Sequence, residues 1–421
     1  MFEKDRGGTM LLSIARAALA AGLALASAAA STPEQADQAV EAFNRTYWNP
    51  AGKYFYKYDN KTGVLDFWLS AHAWETIMDV YVRTGKPEFR QQIADVYDGF
   101  LKLHGSDWTK NSFNDDIAWW IIAAARAYDV TGDIRYLNQA KKEFDWVYGT
   151  QRDTVKGGIW WKNDTHQTKN SCVVQPLIIG AALLAKGLND DGYRVKAESL
   201  YAWERRTLVD ANTGKVYDNI NLAGSRSSYS STYNQGTWIG SAVMLGHLDD
   251  ARKCADWTKA NMCNSAGVFR EAGQGDVGGF KLIGARYIML LARQPGQQSY
   301  TTWMLANADN VWMNRRADGI MGYDWNAPAP SSGIQAQCAA GGVSLLNLFA
   351  TTNSSIRPRG ETARGRNASA KVLSLDAGGG SGSAWYFGSP GTLPASGADR
   401  NGIIRRLDGR ASLWAIPPMP E

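Results

Sequence analysis

The chain carries one turn pattern twice, as Tyr81-Val82-Arg83-Thr84-Gly85-Lys86-Pro87-Glu88-Phe89 and as Tyr128-Asp129-Val130-Thr131-Gly132-Asp133-Ile134-Arg135-Tyr136. In both copies one helical segment ends at a glycine and the next begins with a polar first turn. The two glycines lie 47 residues apart, a period that suits a repeated helical hairpin. The pattern predicts an all-α fold built from paired helices.

Helical periodicity of apolar residues extends this pattern over most of the chain. The periodic segments are 33–48, 67–84, 87–104, 115–131, 133–149, 173–189, 191–209, 235–248, 249–262, 278–293, 299–315 and 333–350. These twelve segments pair into six hairpins, which could form an open solenoid or a closed toroid. Six pairs favour closure, with an inner and an outer ring of helices. Strand signals are sparse and short.

Two adjacent carboxylates open the fourth segment, in Asn114-Asp115-Asp116, and the pair Trp119-Trp120 follows them. Hydrolysis of a glycosidic bond needs one carboxylic acid and one carboxylate, and repulsion between neighbours favours a state in which only one is ionised. The alternative is structural: Asn114 caps the helix while the two aspartates complement its dipole. This segment alone favours the cap, so other regions of the chain must decide between the two roles.

Three further polar or aromatic loops also precede even-numbered segments. They are Gly157-Gly158-Ile159-Trp160-Trp161-Lys162-Asn163-Asp164 with Lys169-Asn170 behind it, Ser230-Ser231-Thr232-Tyr233-Asn234-Gln235-Gly236-Thr237-Trp238, and Gly273-Gln274-Gly275-Asp276-Val277-Gly278-Gly279-Phe280-Lys281. In a closed toroid the starts of alternate helices point to one face, so we expect the four loops to form one cleft. Trp160 or Trp161, on a glycine-rich loop, is a better sugar platform than Trp119 or Trp120, because at least one of the latter faces the core.

The two ends of the chain differ in character from its middle. Residues 1–31 have the basic, apolar and small-residue pattern of a secretory signal peptide, and their apolar run is too short to span a bilayer. Residues 32–350 form the predicted catalytic domain, and the Gly/Ser/Pro-rich residues 351–421 a disordered or loosely packed tail. We therefore expect a secreted or cell-surface protein without a membrane span.

Charge and cysteine content exclude several classes of function. The net charge of +5 is small for 421 residues, and no long basic block indicates nucleic-acid binding. The four cysteines, Cys172, Cys254, Cys263 and Cys338, show no metal-site spacing, so no metal is expected. Their alternatives are disulfides, with Cys254–Cys263 the most plausible, or free buried thiols.

The four motifs, in this order, resemble glycoside hydrolase family 76, whose members are endo-acting α-1,6-mannanases with fungal wall transglycosidase relatives. The resemblance covers residues 33 to about 350. It implies an (α/α)6 barrel, a retaining mechanism, no cofactor, and α-1,6-linked mannan or manno-oligosaccharide as substrate. It also implies that Asp115 is the nucleophile and Asp116 the general acid/base. The implied sugar-binding residues are Trp160, Trp161, Asn170, Tyr233, Asn234, Gln235 and Asp276. The chain departs from the family's pattern at Asn170-Ser171-Cys172.

The predicted function is therefore cleavage of α-1,6-mannosidic linkages within mannan, by a protein expected to be a monomer. Three alternatives remain at this stage. A wall-remodelling transglycosidase would use the same site with a sugar as acceptor. A non-catalytic mannan-binding protein would have no need for two adjacent carboxylates. An (α/α)6 enzyme acting on uronic acids would carry more Arg or Lys in its cleft loops.

Overall fold

The computed structural model describes residues 31–349. The predicted tail and all but the last residue of the predicted signal peptide lie outside this range. The described residues form twelve α-helices: α1 (Pro33–Tyr47), α2 (Phe67–Thr84), α3 (Pro87–His104), α4 (Asn114–Thr131), α5 (Ile134–Thr150), α6 (Ser171–Leu188), α7 (Asp191–Thr207), α8 (Thr232–Leu245), α9 (Leu248–Met262), α10 (Val277–Ala292), α11 (Ser299–Met313) and α12 (Ala336–Phe349).

The helices form two concentric rings. The even-numbered helices pack side by side in chain order, and α12 closes the inner ring against α2. Each outer helix covers the inner helix that precedes it, from α3 on α2 to α11 on α10, and α1 covers α12. At this closure the Ser31 hydroxyl donates to the Leu346 carbonyl over 3.3 Å. The predicted all-α (α/α)6 barrel is confirmed.

Burial explains why the two rings differ in sequence. Inner helices have neighbours on every side: every residue of α8 is buried, as is α10 from Gly278 to Ala292. Outer helices such as α5 bury one face and leave the other in water. Within residues 31–349 one helix, α6, is long and apolar enough to cross a membrane, and most of it is buried inside the barrel. Its inner-ring position accounts for its composition.

The repeated turns have the geometry that their sequence predicts. Gly85 and Gly132 end α2 and α4 in the left-handed region, with φ of 62° and 76°. The backbone amide of each donates to the carbonyl four residues earlier, Tyr81 and Tyr128, over 2.8 Å. Glycine is favoured here because a side chain would strain this conformation.

The β-structure of the described residues is confined to loops. β1 (Trp48–Asn49) pairs with β2 (Tyr54–Phe55), and β3 (Thr168–Asn170) pairs with β4 (Asn219–Asn221), both antiparallel. The second pair places Asn170 opposite Asn219, in the loops that lead to α6 and α8. These short pairs shape the loops on the face where the inner helices begin.

A buried ion cluster joins four inner helices. Arg286 of α10 donates to Glu75 and to Asp79 of α2, over 3.1 Å in both cases. Arg126 of α4 donates to Glu75 over 3.2 Å and also contacts Asp79. The Ser344 hydroxyl of α12 donates to Asp79 over 2.5 Å. Two buried arginines thus neutralise two buried carboxylates.

All four cysteines are free, buried thiols. The alternative of a Cys254–Cys263 disulfide is therefore not realised, because Cys254 lies within α9 facing α8 whereas Cys263 ends α9.

Candidate active site

The starts of the inner helices meet at one face of the barrel. Asp218 lies in the loop before α8. Its backbone carbonyl accepts from the Ser171 backbone N–H of α6 over 2.8 Å, and its carboxylate accepts from the Asn234 side chain of α8 over 2.9 Å. On the opposite side, the Trp68 indole of α2 donates to Asp276, just before α10, over 3.1 Å. These bonds hold the predicted loops around one cleft.

The loop before β3 is fixed to the start of α4. The Asn114 backbone N–H donates to the Trp161 carbonyl over 2.9 Å, and the Asn114 side-chain amide donates to the Trp160 carbonyl over 2.9 Å. Asn114 is therefore the first residue of α4 and not its cap, which is Phe113 without a side-chain hydrogen bond. The predicted capping role was wrong because Asn114 instead secures the neighbouring loop.

Asp115 lies between two side chains from different elements. The Cys172 thiol donates to Asp115 Oδ2 over 3.3 Å, and the Trp161 indole lies beside the same carboxyl group. Burial raises the pKa of Asp115 to about 6, while the thiol and the indole limit this rise by favouring the charged form. Trp161 Nε1 and Asp115 Oδ1 are nevertheless both buried without a partner at hydrogen-bond geometry.

Asp116 has a more acidic neighbourhood than Asp115. Burial raises its pKa to about 8, and the negative charges of Asp115, Asp276 and Asp66 add to this effect. The Asn111 side chain opposes it by donating to Asp116 Oδ2 over 2.8 Å. Near neutral pH the pair therefore favours an ionised Asp115 beside a protonated Asp116.

The two tryptophans of the glycine-rich loop have different surroundings. Trp161 lies beside Asp115, whereas the Trp160 ring stacks on His166 at 5.2 Å between centroids and faces the Lys169 ammonium at 4.5 Å. The preceding Gly157-Gly158 turn has φ of 73° and 77° and rests directly on the Trp203 ring, where a β-carbon would collide. Of the two, Trp161 is the one at the carboxylate pair.

Aromatic rings form the floor of the cleft. Tyr233 stacks on Phe280 with centroids 4.1 Å apart, and Trp119 lies 6.2 Å from Tyr233 and 6.1 Å from Trp68. Trp120 points into the core, where its indole donates to the Phe67 carbonyl over 2.8 Å. The two adjacent tryptophans thus diverge, as helical geometry requires.

The predicted amide contacts divide into two groups. Asn170 and Asn234 are buried and each has a side-chain oxygen without a hydrogen-bond partner, although Asn234 also donates to Asp218. Gln235 is fully buried, and its side chain exchanges two 3.0 Å hydrogen bonds with the Val216 backbone. The predicted sugar contact of Gln235 is therefore corrected: this side chain is fully buried, and both its amide oxygen and its amide nitrogen are bonded to a loop.

Sequence reasoning missed four residues of this site, Asn111, Cys172, Asp218 and Trp68. Cys172 and Asn111 bind the two aspartates directly, and Asp218 and Trp68 connect the helix starts. Asn111, Cys172 and Trp68 stand just before or within an inner-helix start, whereas Asp218 lies inside a longer loop. Apart from Asn111, their partners belong to distant segments of the chain, so no local signal identifies them. Among residues 31–349, no group of three His, Cys, Asp or Glu side chains is placed to hold a metal ion.

Five buried polar atoms without hydrogen-bond partners belong to residues of the helix starts and the loop around Asp115. They belong to Asn114, Asp115, Trp161, Asn170 and Asn234, and each retains unused hydrogen-bonding capacity. Native proteins leave few such atoms, so a concentration of them indicates a place built to bind polar groups. An (α/α)6 barrel with this polar centre, an aromatic floor and two carboxyls of unequal acidity has the features of the glycoside hydrolase class.

Comparison with known proteins identifies the family. The family model "Glycosyl hydrolase family 76" matches residues 31–357, and the chain belongs to this family. The GH76A alpha-1,6-mannanase from Salegentibacter sp. HEL1_6 is 30% identical, with a TM-score of 0.71 over 75% of this chain and 98% of that one. A variant of that protein with two adjacent aspartates replaced by asparagine is inactive and was solved with alpha-1,6-mannotriose, at 29% identity and a TM-score of 0.70.

Fungal relatives are more distant. Mannan endo-1,6-alpha-mannosidase DCW1 of Candida albicans is 26% identical over 230 residues, which cover 48% of this chain and 49% of its own length. The protein of the same name from Saccharomyces cerevisiae is 26% identical over 206 residues, or 42% and 44% of the two chains. This chain thus spans about half the length of each of these relatives.

Proposed function

We propose that this protein is an endo-acting, retaining α-1,6-mannan hydrolase in which Asp115 is the nucleophile and Asp116 the general acid/base. The observation that carries the proposal is the unequal environment of the two adjacent carboxyls. Asp115 has donors that favour its charge, whereas Asp116 is surrounded by acidic side chains that favour its proton. A double displacement requires this pair of protonation states.

The chemistry proceeds in two displacements. Asp116 donates its proton to the glycosidic oxygen while Asp115 attacks the anomeric carbon, so that the C1–O bond breaks and a glycosyl ester forms. Asp116, now a carboxylate, then removes a proton from water, which attacks C1 and releases Asp115. The two inversions at C1 leave the product in the configuration of the substrate.

Mannan is the proposed substrate because the relatives carry it in their names and because the cleft suits neutral sugars. The Tyr233 and Phe280 rings and Trp161 offer flat apolar surfaces for sugar C–H faces. The largest charge effects on Asp116 come from acidic groups, and the neighbouring Lys57 is already paired with Asp66, which disfavours binding of a uronic acid. We also propose that the protein is exported and meets this polymer outside the cell, on the basis of the leader pattern in residues 1–31.

The test is incubation with linear α-1,6-mannan, with NMR of the products at early times. We expect reducing ends in the α-configuration. Asp115→Asn should abolish turnover, and Asp116→Asn should lower it by about 10²–10⁴. Asp249→Asn is the matched control, because Asp249 lies on outer helix α9 with its side chain 88% exposed. Early β-products would exclude retention, and full activity of Asp115→Asn would exclude the assigned nucleophile.

Transglycosylation is the alternative reaction, and an extended form of the same experiment distinguishes it from hydrolysis. It uses the same glycosyl ester but transfers the sugar to a hydroxyl of another saccharide. Adding a mannose-containing acceptor separates the two reactions: hydrolysis raises the number of reducing ends, whereas transfer forms new glycosidic bonds without a net increase. Binding of mannan without either product would indicate a non-catalytic protein.

A further inference from the structure

Cys172 is a buried thiol in direct contact with the proposed nucleophile. It is the second residue of α6 and is 3% exposed. Its Sγ donates to Asp115 Oδ2 over 3.3 Å, and it forms no disulfide. The contact joins α6 to α4 at the centre of the cleft.

The thiol remains neutral and therefore acts as a hydrogen-bond donor. Burial raises the pKa of Cys172 well above its ordinary value, and the charges of Asp115 and Asp218 raise it further. A thiolate could not donate to a carboxylate, whereas an S–H group can. The site thus does not have the features of a nucleophilic cysteine, which need a nearby positive charge.

Tyr233 is a second neutral group beside this contact. Its hydroxyl neighbours the Cys172 sulfur, and burial beside Cys172, Asp218 and Asp115 raises the pKa of Tyr233 well above its usual range. The phenol therefore keeps its proton, as the thiol does. Three inner helices, α8, α6 and α4, contribute the three side chains that meet here.

We propose that Cys172 is a positioning residue: its neutral thiol holds the Asp115 carboxylate in one orientation and favours its charged form. The inference rests on the proposed function of this site. It assigns Cys172 no contact with the sugar and no covalent step. A purely space-filling role is the competing explanation, and that role would not depend on a donor.

The groups that face this contact come from every neighbouring element. Asp115 and Cys172 are faced by Asp116 on α4, Asp218 before α8 and Tyr233 on α8. Asp276 before α10 and Asp66 before α2 act on Asp116. None of these side chains is altered in the variants below, so a changed pH profile reports the loss of the thiol.

The experiment compares Cys172→Ala, which removes the donor, with Cys172→Ser, which keeps one. On α-1,6-mannan we expect Cys172→Ala to lower kcat about tenfold with little change in KM. The acidic limb of its pH profile should move upward by about half a pH unit or more. Cys172→Ser should stay within about threefold of wild type. Cys263→Ala is the matched control, because this buried thiol ends outer helix α9.

Outcomes separate this inference from the proposed function. If the wild type fails to cleave the polymer, the proposed function fails. If the wild type is active and Cys172→Ala keeps its kcat and acidic limb, or Ser and Ala lose activity equally, the positioning role is wrong. Should Cys172→Ala not fold, infrared spectroscopy of the S–H band decides: Asp115→Asn must shift the band assigned to Cys172, and an unchanged band overturns the proposal.

Discussion

At the residue scale, Asp115 and Asp116 are adjacent in the chain but occupy different environments. Asp115 accepts from a thiol, whereas Asp116 lies in the field of three other carboxyls. The identity of the two residues could be predicted from the sequence, because both stand in one contiguous run. The family resemblance also implied their different roles, but the physical cause of the difference could not be predicted, because it is produced by Cys172, Asp66 and Asp276, which come from other elements.

This difference predicts a bell-shaped pH profile for kcat/KM. Activity requires Asp115 ionised, which is fulfilled above about pH 6, and Asp116 protonated, which is fulfilled below about pH 8. We expect a maximum near pH 7. The two apparent pKa values of the profile belong to the coupled carboxyls together and not to either residue alone. Initial rates on α-1,6-mannan from pH 4 to 10 measure it.

Asn111→Ala provides the control for this profile. It removes the hydrogen bond that Asn111 donates to Asp116 Oδ2 and should move the alkaline limb to higher pH, because the charged form of Asp116 loses a stabilising donor. A profile that decreases steadily from acid pH, without a maximum, would contradict the assigned protonation states.

At the element scale, close contact between α8 and α10 depends on glycine. A β-carbon on Gly236 would lie 2.6 Å from the Gly284 Cα atom, and one on Gly284 would lie 2.9 Å from the Thr232 carbonyl oxygen. Two backbones in contact cannot move apart without disturbing the Tyr233–Phe280 floor, which the same helices carry. The inner ring therefore excludes side chains at these two positions.

We predict that Gly236→Ala destabilises the protein by about 1–3 kcal/mol through overpacking. Gly149→Ala, in α5, is the matched control: Gly149 is exposed and its added methyl group meets no atom within 4 Å. Alanine there should stabilise the helix by about 0.5–1 kcal/mol. Urea unfolding of both variants measures the contrast, and equal effects would refute the packing argument.

A second prediction concerns Glu204, a buried acid between α7 and α6. It contacts the Ser171 hydroxyl at 2.7 Å and the Gln175 amide at 2.9 Å, and burial raises its pKa to about 7 from 4.5. Because the folded state binds this proton more tightly, its stabilising contribution is complete below about pH 4.5 and is lost as pH rises to about 7. The loss amounts to about 3 kcal/mol.

Glu204→Gln should remove this pH dependence. Near pH 5 we expect the variant and the wild type to have similar free energies of unfolding, and near pH 8 we expect the variant to be the more stable. Urea unfolding at both pH values measures the difference. A constant difference between the two proteins across this range would show that Glu204 does not titrate as described.

The elements differ in how far sequence could predict them. The helices could be predicted because apolar periodicity is a local signal, and Gly85 and Gly132 mark ends that depend on backbone conformation alone. Asn114 and Gln235 could not be assigned, because an amide side chain suits a cap, a loop tie and a sugar contact equally well. Only the positions of Trp160 and Val216 in space decide between these roles.

At the scale of the whole molecule, the ion cluster of Glu75, Asp79, Arg126 and Arg286 lies where inner helices from distant parts of the chain meet. The four charged residues stand as isolated charges within apolar helix sequences, so no local sequence pattern predicts that they pair. Closure of the ring brings these distant helices together. Removing one member leaves an uncompensated charge in the barrel.

We predict that Arg286→Met destabilises the protein by about 3–5 kcal/mol. Arg252→Met is the matched control, because Arg252 forms an exposed pair with Asp249 on α9 and should cost no more than about 1 kcal/mol. Thermal unfolding compares the two. A loss at Arg286 as small as that at Arg252 would mean that the cluster contributes no net stability beyond packing.

The closure between α1 and α12 has a consequence for chain connectivity. Five outer helices follow their inner partners through a covalent turn, whereas α1 covers α12 with no such turn between them, through helix packing and hydrogen bonds such as Ser31–Leu346 and Tyr47–Ile334. One seam of the ring is thus held by non-covalent contacts alone. If residues 31 and 349 were joined by a short linker, a circular permutant opened at an exposed tip such as Val155, which is 90% exposed, should assemble the same toroid.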